Sequence, residues 1–424
     1  MTNCKNDNVE ILKSQLKILI ISQYFHPEVF RINEVARSLA DRKNEVYVLT
    51  GIPNYPSGKI YKGYKKFFNI ERWNGVHIYR LPIIPRGSGS APFLFLNYIS
   101  FVLMGILFAP IIFFRHKLDL IYIYGTSPIF QALPGLLIAR IKGIKCILNV
   151  QDIWPESISM TGYIKNEITL QFIRKLVDKI YIASDLIVAQ SLSIKQKIAQ
   201  VKSPEKCFFI PNSADFIDIT NSSQIIDSKI LNEFEKNKIN ILYAGNIGKA
   251  QGLNVLLEAA LLLKEERSIK FLFAGDGSEL EKIKQMCMQY KLENIVFLGK
   301  FPNNVMPILY AHASFLFIAL KKHYALSMTI PNKLQVYLSM GKPIIGSIDG
   351  EASRIIVESR SGLVSPAGDS KQLANIITEA ASLGEDKIAT MGINGKNYFR
   401  DNFNNDLVIN SLIKLMKNCL NEKI

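Results

Sequence analysis

The sequence predicts an α/β protein made of two doubly wound, parallel-sheet domains in series. Three observations carry that prediction. Short apolar runs alternate with stretches of helical periodicity, as expected of parallel strands joined by crossover helices. The series stops once, in a polar stretch over 218–240, and then restarts. The chain has 424 residues, room for two or three domains at about 100–200 residues each.

In the first half the strand candidates are 18–22, 46–50, 76–81, 120–124, 146–150 and 186–189, six strands in a Rossmann-like sheet. In the second half they are 241–244, 271–274, 296–298, 315–318 and 344–346. The expected division is an extension over 1–16, a first domain over 17–215, a linker over 216–238, a second domain over 239–400 and a C-terminal helix over 401–424. Open parallel sheets bind ligands outside the carboxyl ends of their strands, so the active site is expected between the two domains.

Composition narrows the partners. Hydrophobic residues make up 48% and charged residues 21%, with a mean hydropathy of +0.14, which is too apolar for disorder and slightly too apolar for an ordinary cytosolic enzyme. Lys and Arg number 51 against 36 Asp and Glu, a net charge of +15 that favours phosphates, nucleic acid or an anionic membrane. Nucleic acid ranks last, because the basic residues interleave with apolar ones and no recognition motif appears. Cys4, Cys146, Cys207, Cys287 and Cys419 are too widely spaced for a metal knuckle or a redox pair, and residues 1–16 lack the pattern of a signal peptide, so a cytoplasmic location is expected.

Residues 93–114 run 22 positions without a charge, long enough to cross a bilayer. Crossing would separate the first three strands from the next three, and one hydrogen-bonded sheet cannot form through lipid. That leaves a buried core helix or a helix lying in one leaflet, with the leaflet preferred. The segment 59–68 favours the leaflet, since Lys59, Lys62, Lys65 and Lys66 alternate there with aromatic residues, as at an anionic headgroup surface; a solvated loop is the plainer alternative.

Two loops could hold phosphate. The run Tyr243 to Gly252 follows a strand and enters a helix, and Gly245, Asn246, Gly248 and Gln251 lie in it. Glycines there let backbone amides approach a phosphate at a helix start, although a tight turn would need them as well. Its spacing matches neither a Walker loop nor the dinucleotide fingerprint. The run Ser327 to Lys333 likewise precedes a helix, where Thr329, Ile330 and Asn332 offer amides and Lys333 an ammonium; a plain helix cap would look similar. Gly275, Asp276 and Gly277 close the next strand and could shape the floor near a nucleotide base, or form an ordinary turn. In the first half, Asp152 follows a strand and could orient or deprotonate a hydroxyl. His26, Glu28 and Arg31 lie in the first strand-to-helix loop, and Asn212 and Asp215 end the last connection before the linker.

The order of these motifs resembles the glycosyltransferase family 4 enzymes of GT-B fold, in particular the bacterial branch that builds O-antigen and capsule. The residues that carry the resemblance are Gln23 to Glu28, Asn54-Tyr55-Pro56, Gln151 to Glu156, Pro211 to Asp215, the glycine loop, Gly275-Asp276-Gly277, and Pro331-Asn332-Lys333-Leu334 leading to Gly341-Lys342-Pro343. Within that branch the chain is most similar to amino-sugar transferases, including those assigned as N-acetyl-L-fucosamine transferases acting on lipid-linked acceptors.

The resemblance implies a retaining glycosyltransferase at the inner face of the bacterial cytoplasmic membrane. Its donor would be a nucleotide sugar, UDP-linked, on the second domain, and its acceptor a polyprenyl diphosphate-linked sugar along the first. Asp152 would be the acceptor-side carboxylate; because the cations the family usually places in the glycine loop are missing here, Lys249 and Lys333 are expected to neutralise the departing diphosphate instead. Gly245, Asn246, Gly248, Gln251, Gly275, Asp276, Gly277, Thr329, Ile330 and Asn332 would contact the donor, and His26, Glu28 and Arg31 the acceptor. No metal or other cofactor is implied: no two aspartates stand two apart, so the DxD metal motif of the other major glycosyltransferase fold is absent.

The chain departs from the family pattern at four places. Asn246 and Gln251 replace the usual cations of the glycine loop, and Met328 and Val336 stand where the family has two glutamates. Two alternatives therefore stay open, a UDP-sugar 2-epimerase on the same fold and a non-catalytic scaffold of polysaccharide assembly.

Overall fold

The computed structural model describes residues 15–161, 166–214 and 226–421. The expected N-terminal extension, as far as residue 14, lies outside them, as do Asp215 and the linker to residue 225. The chain forms two compact units, one running to Ile210 and resuming at Ile409, the other spanning Pro211–Val408.

The first unit is built on one eight-stranded sheet: β1 (Lys17–Ile21), β2 (Glu45–Gly51), β3 (Asn69–Trp73), β4 (Val76–Leu81), β5 (Leu120–Gly125), β6 (Lys145–Val150), β7 (Leu186–Ala189) and β8 (Cys207–Phe209), in the order β3-β4-β2-β1-β5-β6-β7-β8. The six expected strands are all present and parallel. Two more were not expected. The edge strand β3 runs antiparallel to β4, and its residues alternate between partly and fully exposed, so it lacks the continuous apolar run of a strand covered on both faces. At the other edge β8 has only three residues.

The second unit holds β9 (Ile239–Ala244), β10 (Ile269–Ala274), β11 (Ile295–Gly299), β12 (Phe315–Ala319), β13 (Ile344–Ser347) and β14 (Gly362–Ser365), all parallel, in the order β11-β10-β9-β12-β13-β14. Here β14 is the unexpected strand, a four-residue edge whose Gly362 packs directly on the Ile344 carbonyl.

Helix α1 (Arg31–Asp41) covers the β1–β2 crossover, α2 (Ala91–Phe113) lies between β4 and β5, and α3 (Ala132–Lys142) between β5 and β6. In the second unit α4 (Asn254–Leu262) follows the glycine loop and α5 (Asn332–Ser339) precedes β13. The final helix α6 (Asn405–Asn421) packs Ile409, Leu412, Leu415 and Met416 into the core of the first unit, alongside β1, β2 and α1.

Helix α2 occupies the apolar segment and is turned inside out relative to a helix of a water-soluble protein. Its polar residues face the sheet. Asn97 is fully buried, accepting from Gln23 Nε2 at 2.8 Å and donating to the Ile84 carbonyl at 2.6 Å, and Ser100 Oγ accepts from the Ile84 amide at 3.0 Å. Gly105 lets the helix close on Pro134 of α3, where a Cβ would stand 2.5 Å from the ring. The outward face carries Phe93, Phe95, Leu96, Leu103, Ile106, Leu107 and Ile111, each at least a third exposed. Only 33% of its most apolar stretch is buried, although the helix is long and apolar enough to cross a bilayer. Because β4 pairs with β2, β2 with β1 and β1 with β5, the strands before and after α2 share one sheet.

Candidate functional site

In the second unit, three sequence-predicted loops meet at the carboxyl end of β9. The turn after β9 is laced to the turn after β10: Gly245 N–H donates to the Ala274 carbonyl at 2.8 Å, and Ile247 N–H to the Asp276 carbonyl at 2.8 Å. The approach is too close for side chains. A Cβ on Gly275 would fall 1.9 Å from the Gly245 carbonyl oxygen, and one on Gly277 would fall 2.3 Å from that of Ile247. Glycine is required at both positions by contact as well as by their positive φ angles.

Lys333 comes to the same place from the first turn of α5. Its Nζ lies 3.7 Å from the centroid of the Tyr243 ring, and a Cβ on Gly245 would stand 3.2 Å from both Cε and Nζ. Lys333 is thus laid against the glycine loop. Tyr243 is held in turn by its hydroxyl, which donates to the Asn246 carbonyl, and α5 is pinned beneath β9 by Tyr337, whose hydroxyl accepts from the Ala244 amide at 3.3 Å. No carboxylate pairs with the ammonium among the described residues, and burial lowers its pKa to about 7. It is a cation poised to gain an anionic neighbour.

The other donor-side residues divide. Asp276 Oδ1 accepts from the Gly277 amide at 2.8 Å, and Asn246 and Asn332 are exposed. Thr329 donates its hydroxyl to the Leu326 carbonyl at 2.9 Å, and the Ile330 side chain is buried in the core. The Asn246 amide and the Gln251 carbonyl oxygen crowd the Gly248 Cα, and Gln251 Oε1 is buried without a hydrogen-bond partner. Lys249 is exposed in the single 3-10 turn Lys249–Gln251 and makes no ion pair among the described residues.

In the first unit, Asp152 sits after β6 with Oδ2 accepting from Ser127 N at 3.1 Å and Ser127 Oγ at 2.9 Å. Ser127 Oγ accepts in turn from Trp154 Nε1 at 2.9 Å, so an indole, a hydroxyl and a carboxylate stand in line. Burial raises the Asp152 pKa, opposed by the two Ser127 hydrogen bonds. Asp152, Arg31 and Glu34 all act electrostatically on the buried Tyr124 hydroxyl, and Arg31 is paired with Glu34 at 2.5 Å.

Glu28 and His26, expected on the acceptor side, are both engaged by neighbouring residues. Glu28 is 1% exposed, and its oxygens accept from the amides of Asn54 and Tyr55 at 2.7 Å and of Phe25 at 3.4 Å, tying the loop after β1 to the loop after β2. Burial pushes its carboxyl up to about 7. His26 stacks on Trp73 with centroids 4.5 Å apart, its carbonyl accepts from the buried Arg80, and burial followed by the Arg80 charge lowers its pKa.

Ser127 and an arginine, Arg86, set among tyrosines, were not among the sequence candidates, although Arg86 is the sole cation between the apolar end of β4 and the start of α2.

Comparison with known proteins bears on this site. The family described as glycosyl transferases group 1 matches residues 238–382, the stretch containing the glycine loop, the Gly275 turn and Lys333. The matched stretch lies within the second unit. WbjE of Pseudomonas aeruginosa, assigned as a glycosyltransferase, is 26% identical over 61% of this chain and 65% of its own length, just under two thirds. WcaI of Escherichia coli K12, assigned as a glycosyl transferase of colanic acid biosynthesis, is 26% identical over 77% of this chain and 82% of its own. Among solved structures, HepE of Anabaena in complex with UDP is similar at a TM-score of 0.67 and 17% identity, over 95% of this chain and all of that one. Likenesses of this kind establish the GT-B fold. The stretch that matches the group 1 family thus includes both the glycine loop and Lys333.

Proposed function

We propose that the protein is a glycosyltransferase of bacterial surface-polysaccharide assembly, moving one sugar from a nucleotide donor to a lipid-linked acceptor. The donor is UDP-linked and its sugar an N-acetylamino-deoxy hexose such as N-acetyl-L-fucosamine. The acceptor is a polyprenyl diphosphate-linked sugar in O-antigen or capsule synthesis. The observation that carries the reading is the unpaired Lys333 ammonium lying against Gly245 inside the group 1 domain.

In the reaction the bond from the anomeric carbon to the diphosphate oxygen breaks and a bond to the acceptor hydroxyl oxygen forms. Charge develops on the leaving diphosphate. Lys333, the amides of the glycine loop and the open first-turn amides of α5 supply positive potential there, and Lys249 adds a second, exposed cation. The step uses these groups in place of a metal ion. Asp152, held by Ser127, orients or deprotonates the acceptor hydroxyl. Departure and attack occur on the same face of the sugar, retaining its configuration.

The enzyme works at the cytoplasmic face of the membrane, with α2 in the leaflet. Support comes from the outward apolar face of α2 and from the loop after β2. In that loop Lys59, Lys62, Lys65 and Lys66 are exposed, Tyr61 and Tyr64 turn inward, and Phe68 packs edge-on against Phe108 of α2.

The test is UDP binding followed by calorimetry across pH. Below about pH 7 Lys333 is already charged and affinity is flat. Above it the free protein must take up a proton to bind, so affinity falls by up to about tenfold per pH unit, with uptake approaching one proton per UDP. Absence of UDP binding, or binding with no proton uptake at pH 8.5, contradicts this placement of the donor.

A further inference from the structure

The first unit contains a second uncompensated cation, and its surroundings identify a ligand. Arg86 follows β4, Tyr24 follows β1 and Tyr55 follows β2, so three loops leave the carboxyl ends of three neighbouring strands and meet. Tyr98 of α2 completes the group. The guanidinium carbon lies 5.7, 5.1 and 5.9 Å from the ring centroids of Tyr24, Tyr55 and Tyr98. Nη1 donates to the Tyr24 hydroxyl at 2.6 Å and to that of Tyr98 at 3.5 Å. Nε and Nη2 have no acceptor, and no carboxylate pairs with Arg86, among the described residues.

The open Nε and Nη2 form the fork with which a guanidinium grips two oxygens of a phosphate. A half-buried arginine held rigid by phenols and left without an anion is built to receive one. Its position says which anion. Tyr98 is one turn from the exposed Phe95 at the start of the outward apolar face of α2, and Phe93 packs on Gly87 next in the chain to Arg86. Gly87 N–H also donates to the Gly58 carbonyl at 3.0 Å, seating the lysine-bearing loop beside it. A ligand here meets a phosphate fork at one end and an apolar, lipid-like helix at the other.

We infer that Arg86, framed by Tyr24, Tyr55 and Tyr98, binds the diphosphate of a polyprenyl-linked acceptor at the foot of α2. This rests on the reading of the protein as a transferase to lipid-linked sugars, and it moves acceptor binding from His26 and Glu28 to Arg86.

The experiment measures binding rather than transfer, so it stands apart from the outcome of any activity assay. The full chain is titrated with farnesyl diphosphate in a Lys333→Ala background, which disables the donor loops, and in parallel with inorganic diphosphate and with phosphatidylglycerol vesicles. Farnesyl diphosphate is expected to bind at least tenfold more tightly than inorganic diphosphate. Arg86→Gln is expected to weaken it by about ten- to a hundredfold, as for loss of a charged hydrogen-bonding group, with vesicle binding unchanged. Arg86→Lys keeps the charge, loses the fork and is expected to cost about tenfold; it serves alone if Arg86→Gln does not fold. Unchanged farnesyl diphosphate affinity in either folded variant overturns the assignment. Equal loss on phosphatidylglycerol vesicles overturns it in favour of a headgroup contact, and equal affinity for inorganic diphosphate overturns the lipid-linked ligand.

Discussion

Replacing Lys333 by alanine is expected to lower kcat by about a hundred- to a thousandfold, the usual cost of removing one preorganised group that stabilises a leaving charge. The side chain reaches the glycine loop because three features coincide: the first turn of α5 starts at Asn332, the Tyr243 ring provides a face on which the chain can lie, and Gly245 has no Cβ in the way. Lys333→Met keeps most of the packing on Tyr243 and removes only the charge, so it is expected to lose nearly as much activity as alanine. Lys333→Met should not lower stability at neutral pH, whereas alanine also gives up the packing on Tyr243. Burial depresses the Lys333 pKa, so between about 7 and the ordinary lysine value the unfolded chain binds the extra proton, and stability rises with pH through that window. Lys333→Met removes that slope. Steady-state kinetics beside thermal unfolding at pH 6, 7 and 9 separate the two effects.

Gly275→Ala is expected to destabilise the second unit by about 3 kcal/mol or more. The new methyl would fall 1.9 Å from the Gly245 carbonyl oxygen, a backbone atom that cannot swing aside, at a φ of +153° that side chains rarely adopt. Backbone strain and forced displacement each cost about 1–3 kcal/mol. Because Gly245 N–H is bonded to Ala274, the displacement pushes the glycine loop away from Lys333, so residual folded protein should also bind UDP weakly. Gly63→Ala is the matched control, since a Cβ there meets nothing within 4 Å, at a φ of +94° that charges it the strain alone. Chemical denaturation of both variants reads the difference; equal midpoints would refute the contact.

The parallel strands were legible because both faces of each are covered, and continuous burial writes itself as an uninterrupted apolar run; every residue of β5 and of β10 is buried. The edges were not. Ile70 of β3 is 70% exposed, and the sequence around it blends into the basic and aromatic loop before it. In β14 four residues opening on a glycine give too little pattern to read.

The same contrast runs through the site. Lys333 was legible because a helix start and a cation stand together in Pro331-Asn332-Lys333. Arg86 was not, since its frame comes from positions 24, 55 and 98, which only the sheet order and the inward roll of α2 bring together. Glu28 is the converse case. A carboxylate in a strand-end loop reads as a ligand contact, yet its oxygens are taken by three backbone amides. In the apolar segment, the polar Asn97 and Ser100 are the residues that dock the helix on the protein.

Sugar transfer itself is the most direct measurement. A panel of nucleotide sugars is incubated with the full chain and a synthetic lipid diphosphate-linked sugar, and the lipid product is weighed by mass spectrometry. One UDP-linked amino sugar is expected to add a single sugar residue to the acceptor, and Lys333→Ala and Asp152→Asn to slow the appearance of the new mass by at least about a hundredfold. Epimerisation of a UDP-sugar without acceptor, or no product with any donor while the protein is folded and binds the lipid, would contradict it.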